Sequence, residues 1–327
     1  MKKRVLSGIR ATGRLHLGNY LGAVKGMLEL QNDPNYETFY MVVDLHTLTT
    51  PFEPKTLQSD IREIILDYLS TGLDPEKCAL FIQSHVREHV ELAYLFGTQV
   101  SIAKMQHLPT YKEKIKQHPK NVNMALLNYP LLMAADILLY KTNFVPAGID
   151  QEPHIEVARE IARKMNEKFK THLVEPKRFT TKGEYIPSLT GEGKMSKSVS
   201  GSAIFLTDDL KTIKERLAKT PTDSGRGEKL PKEGGVNTLL TLVELFEGKE
   251  KREKYERDYL RDGIRYAELK EELSEAIYKE LKPIQEKRAK LEKDTQYLDR
   301  IIKEGSIKAS KVASKTLNEV KKAMGLS

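Results

Sequence analysis

Short apolar runs and longer amphipathic stretches alternate along the first half of this chain, and few folds accommodate that rhythm. Residues 3–8, 37–44, 78–84 and 143–148 read as short buried strands. Between and after them, residues 19–31, 55–72, 90–100, 122–140 and 151–169 carry helical periodicity. Strand and helix alternating at this spacing predict βαβ units: an α/β fold with a parallel sheet, helices on both faces, and ligands at the carboxyl ends of the strands.

The second half differs. After a Gly/Ser/Lys-rich segment at 191–201, the pattern is almost wholly helical, over 208–218, 237–247, 249–261 and 266–293, with a polar loop at 220–235. The sequence thus divides into an α/β domain, 1–188, and a C-terminal all-helical domain, 189–293. A last helix, 297–324, shows Ala313, Leu317, Val320 and Met324 on one face, and segment 294–327 is expected to pack back on the first domain. Lys308, Lys311, Lys315 and Lys322 share another face, either solvated or in contact with an RNA backbone.

Composition narrows the compartment and the partners. At 327 residues with 39% hydrophobic and 31% charged side chains, the chain can bury a substantial core. Its longest apolar runs fall well below the roughly 20 residues that span a bilayer, and its basic start lacks the apolar stretch of a signal peptide. No membrane association and a cytoplasmic location are expected. One cysteine, Cys78, excludes an internal disulfide and a cysteine-rich zinc or iron–sulfur site. A net charge of +8 suits a polyanionic partner and equally a merely basic surface.

Three constellations carry chemistry. The first strand runs into Ser7-Gly8-Ile9-Arg10-Ala11-Thr12-Gly13-Arg14-Leu15-His16-Leu17-Gly18-Asn19. Glycines permit close backbone approach, a helix start offers N–H groups to anionic oxygens, and a histidine there can donate to a phosphate whose charge grows in the transition state. Far downstream, Gly193-Lys194-Met195-Ser196-Lys197-Ser198 places two lysines among small residues in a loop able to fold over a polyphosphate. In the third, Tyr129, Met133, Asp136 and Tyr140 share one face of an apolar helix. A buried aspartate there needs a donor: a nearby Arg or Lys, or a substrate.

Together these strings resemble the two signatures of the class I aminoacyl-tRNA synthetases, with His16-Leu17-Gly18-Asn19 in the place of the HIGH motif. Asn at its last position is a feature of the tryptophanyl and tyrosyl branch. The likeness runs from Ser7 to Leu326 and implies a Rossmann-type parallel-sheet catalytic domain, a helical anticodon-contacting domain, a homodimeric assembly and an ATP-dependent enzyme that loads an amino acid onto transfer RNA. By this resemblance His16, Lys194 and Lys197 are catalytic. Arg10, Thr12, Gly18, Asn19, Asp150, Lys194, Met195, Ser196 and Lys197 contact ATP, which carries Mg²⁺. The helix around Asp136 looks like the tryptophanyl specificity helix, so L-tryptophan and tRNA(Trp) are the implied substrates. Asp136 would accept the indole N–H, Met133 would pack on the ring, and Tyr129 and Gln151 would hold the α-amino group. Leu6, Gly8 and His46 would complete the tryptophan pocket, Leu6 and Arg10 standing where other members carry an aromatic residue and Gln. Thr110 and Lys114 would lie near the nucleotide. His154 reads as a structural histidine. A tyrosyl enzyme is the nearest alternative, and a small-molecule adenylyltransferase and a catalytically silent RNA-binding paralogue are the others.

Overall fold

The computed structural model describes residues 2–180, 185–197 and 199–326. The chain forms two compact units, Met1–Gly13 with Gly26–Thr181 and Asp294–Ser327, and Arg14–Lys25 with Lys182–Lys293. The division therefore falls a few residues before 188, and the segment carrying His16 groups with the second unit.

The first unit is built on a five-stranded, fully parallel sheet: β1 Lys3–Arg10, β2 Tyr36–Val43, β3 Cys78–Ile82, β4 Phe144–Pro146 and β5 Lys177–Phe179. Strand order is β3-β2-β1-β4-β5. The winding reverses between β1 and β4, the place where open α/β sheets bind ligands. Strands β2 and β3 are nearly continuous runs of buried residues, as expected for parallel strands covered on both faces.

The helices of this unit are α2 Lys25–Asn32, α3 Asp44–Thr47, α4 Pro54–Thr71, α5 Glu88–Gly97, α6 Ile102–His107, α7 Pro109–Gln117, α8 Met124–Leu139, α9 Glu152–Phe169 and α14 Thr295–Ala323. Helix α8 begins where the Asn123 side chain accepts the Leu126 N–H at 2.9 Å, a standard N-cap. It ends at Leu139, so Tyr140 is its buried C-terminal cap rather than a member of its face. Helix α14 lies along β3 so closely that a Cβ on Gly305 would overlap the Leu80 carbonyl oxygen. Its Lys308 donates to the Pro75 carbonyl at 2.9 Å.

In the second unit, α1 Leu17–Asn19 runs into a π-helical turn at Tyr20–Val24. Helices α10 Leu210–Ala218, α11 Gly234–Glu247, α12 Lys249–Leu260 and α13 Tyr266–Leu291 pack through Ile213, Leu217, Leu239, Leu242, Val243, Leu269, Leu273 and Ile277. Asp223, in the polar loop, accepts from the hydroxyls of Tyr259 (2.6 Å) and Tyr266 (2.7 Å), tying that loop to α12 and α13. Among the described residues, no helix is long and apolar enough to cross a membrane.

Candidate active site

In the second unit, the two signature segments meet through the backbone. Leu17 donates to the Ile204 carbonyl at 2.8 Å and Leu206 to that of Leu15 at 3.0 Å, an antiparallel bridge centred on His16 and Phe205. The lysine loop is anchored on the other side by an antiparallel bridge between Pro187 and Lys194, with Met195 donating to Ile186 at 2.9 Å. Met195 is buried. A Cβ on Gly18 would stand 2.9 Å from the His16 ring and 3.1 Å from the Met195 Cβ, so glycine is what lets these three residues pack. Ser198 lies outside the described residues.

His16 and Asn19 cap each other: His16 N–H donates to Asn19 Oδ1, and Asn19 N–H donates to His16 Nδ1, both at 3.3 Å. This reciprocal cap explains Asn at the fourth signature position. It also makes Nδ1 an acceptor, so the imidazole proton sits on Nε2. Burial, helped by the positive charge of Lys197, lowers the His16 pKa to about 4. The ring is therefore neutral at physiological pH and retains an N–H to donate.

In the first unit, the carboxyl ends of β1 and β4 carry Gly8, Arg10 and the Gly148-Ile149-Asp150-Gln151 turn. A Cβ on Gly8 would press on Val43 and Met41, and one on Gly148 would fall 2.5 Å from Asp150 Oδ1. Gln151 Nε2 donates to Asp150 at 2.9 Å. The Arg10 guanidinium bonds to the Thr50 hydroxyl at 2.5 Å and the Thr47 carbonyl at 3.4 Å. Leu6 is buried in the core, 2% exposed, and Thr12 sits in the loop after β1.

Asp136 is 2% exposed, and the sequence left it to a lysine, an arginine or the substrate. In the structure three other side chains donate to it. His46 Nε2 donates to Oδ2 at 2.8 Å and His89 Nδ1 to Oδ1 at 2.6 Å. Gln83 Nε2 spans both oxygens at 2.9 and 3.0 Å. Burial alone would raise this carboxyl, but the two imidazoles outweigh it and hold it well below the usual carboxylate range. Asp136 is thus ionised and fully paired without any ligand.

A second polar cluster stands beside it. Tyr129 hydroxyl donates to Thr110 Oγ1 at 2.7 Å, and His154 Nε2 lies 2.7 Å from that hydroxyl and 2.9 Å from Thr110. Burial lowers the His154 pKa to about 4. Edge-on contact between His46 and Tyr129, with centroids 6.5 Å apart, links the two clusters. Met133, one turn before Asp136 on α8, packs partly buried against the core.

Gln83 and His89 escaped the sequence reading. A polar residue immediately after the apolar strand 78–82 marks a strand's carboxyl edge and could have flagged Gln83. Nothing in the α5 sequence distinguishes His89 from a core histidine.

The family model for tRNA synthetases class I (W and Y) matches residues 1–282. The tryptophan–tRNA ligase of Porphyromonas gingivalis is 38% identical over 98% of this chain and 98% of its own. That of Helicobacter pylori is 41% identical over 99% of each. Among solved structures, the tryptophanyl-tRNA synthetase from Mycoplasma pneumoniae is similar at a TM-score of 0.87 and 32% identity, covering 100% of this chain and 99% of that one. The Campylobacter jejuni synthetase, complexed with ADP and tryptophan, is similar at 0.84 and 29%, covering 99% of this chain and 100% of that one. The chain therefore belongs to the class I tRNA synthetases of the tryptophanyl and tyrosyl branch.

Proposed function

We propose that this protein activates L-tryptophan with ATP, giving tryptophanyl-adenylate and pyrophosphate, and then transfers tryptophan to the 3′-terminal ribose of tRNA(Trp). The observation that carries the reading is the meeting of His16 with the Lys194–Lys197 loop within one folded unit. Full-length similarity to tryptophan–tRNA ligases, and to a synthetase complexed with tryptophan, supports tryptophan over tyrosine.

The amino-acid carboxylate is already ionised at neutral pH, so its attack on the α-phosphorus needs no general base. One oxygen–phosphorus bond forms while the bond to pyrophosphate breaks. Catalysis is then positioning and charge stabilisation. Neutral His16 donates from Nε2 to a phosphate oxygen, Lys194 and Lys197 neutralise the departing pyrophosphate, and Mg²⁺ arrives as part of the nucleotide substrate. Gly18 and the reciprocal cap hold His16, and Asn19, Met195 and Ser196 of the same unit contact the nucleotide; by resemblance to the family, Arg10, Thr12 and Asp150 are ATP-contacting residues too. In the second step a ribose hydroxyl of tRNA attacks the acyl carbon and AMP leaves.

Asp136 accepts the indole N–H. Met133, His46, Leu6 and Gly8 line the ring, and Tyr129 and Gln151 hold the α-amino group. A homodimer is supported by the exposed apolar side chains Val90, Tyr94, Ile102, Val122 and Met124 on or beside α5, α6 and α8. The lone buried cysteine fits a reducing cytoplasm.

ATP–pyrophosphate exchange across the amino acids tests this directly. Exchange with tryptophan alone is expected. Exchange confined to tyrosine would reject the substrate assignment, and none with any amino acid would favour a silent RNA-binding paralogue.

A further inference from the structure

The two oxygens of Asp136 live in different surroundings. Oδ1 faces His89, whose side chain is 0% exposed, and Oδ2 faces His46, whose side chain is 12% exposed. Behind His89, its Nε2 lies 2.9 Å from the buried Tyr140 hydroxyl. A buried chain therefore runs from Tyr140 through His89 to Oδ1, and Gln83 braces both oxygens. A carboxylate offers about four lone-pair sites, and all four are engaged without substrate. An incoming ring N–H must displace a donor. The one nearest solvent, on the short helix α3, is His46.

We propose that Tyr140 and His89 are specificity-determining positioning residues. They lock Oδ1 from the buried side, so that Oδ2 keeps a single displaceable donor, His46, whose place the indole N–H takes. This rests on the reading above that Asp136 recognises indole. The carboxylate cannot rotate to follow a different ligand while His89 holds it. The selectivity for a ring N–H thus comes from a carboxylate fixed in direction and never left bare.

Tyr140→Phe removes only the hydroxyl, His89→Leu removes the donor to Oδ1, and His89→Asn returns an amide N–H close to the Nδ1 position. In full-length protein, kcat/KM for pyrophosphate exchange is measured with L-tryptophan and with β-(benzothiophen-3-yl)alanine, in which sulfur replaces the N–H. The tryptophan-to-analogue ratio is expected to fall about 3- to 10-fold in Tyr140→Phe and His89→Leu, the range of one hydrogen bond, and to recover in His89→Asn. Equal losses for both substrates, or an unchanged ratio in Tyr140→Phe, would overturn the proposal; Tyr140→Phe decides alone if His89→Leu does not fold. Asp136→Asn separates the two levels. If that variant lowers the ratio while the others do not, only the positioning role fails. If it leaves the ratio unchanged, the indole contact itself is wrong.

Discussion

Nδ1 of His16 accepts the Asn19 backbone N–H at 3.3 Å, and that one bond decides which nitrogen of the ring carries the proton. With Nε2 protonated and a pKa lowered to about 4 by burial and then by Lys197, His16 donates as a neutral group. Single-turnover adenylate formation should therefore show no inflection near pH 6.5 from this residue, only a change as pH approaches about 4. A rate that tracks protonation near 6.5 and disappears in His16→Gln would contradict the neutral-donor role.

His16→Ala and Lys197→Ala should each slow adenylate formation by about 10²-fold or more, with tryptophan binding little changed. The chain contains no tryptophan, so the fluorescence of the bound amino acid reports affinity without background. A loss of affinity as large as the rate loss would assign these residues to tryptophan binding instead.

Gly18→Ala should disable the same step by displacing His16. Its Cβ would stand 2.9 Å from the His16 ring and 3.1 Å from Met195, so the ring must turn or the loop must yield. Misplacement on this scale is worth about 10- to 10²-fold in rate. Stopped-flow activation with unchanged thermal stability is the informative combination.

Asp136→Asn exchanges an acceptor for a group with its own N–H, facing His46, His89 and Gln83. At least one buried donor then loses its partner, which costs about 1–3 kcal/mol in folding. Discrimination of tryptophan against phenylalanine and tyrosine should weaken with it. Urea denaturation and parallel exchange assays measure the two effects separately.

Acid should destabilise the fold through His16 and His154. In the unfolded chain each takes up a proton near pH 6.5, whereas in the folded protein burial delays uptake to about pH 4. Between these values the unfolded state binds more protons, so stability is complete above about 6.5 and declines as pH falls toward 4. The loss is at most about 3 kcal/mol per histidine. Denaturation midpoints at pH 7, 5.5 and 4.5 should decrease in that order, and a flat series would rule out this coupling.

Much of this was legible beforehand, for physical reasons. Parallel strands buried on both faces leave unbroken apolar runs, so β1 to β4 were visible. Strand β5, with only Lys177, Arg178 and Phe179, carries no such run. Helices α6 and α7 were missed because they are short and polar, and α7 keeps only Tyr111 buried. Tyr140 fits the helical spacing but falls beyond the last turn of α8, a boundary that periodicity does not fix. At the site, residues on phosphate-handling loops announced themselves through unusual local composition. Partners that act at a distance in sequence did not: Gln83 and His89 reach Asp136 from 53 and 47 positions away.

Gly305 has a consequence for folding. Because a Cβ there would overlap a β3 carbonyl, the last helix can seat against that strand only with its smallest residue at the crossing. Any larger side chain at 305 would wedge the helix away from a sheet that is itself soundly built.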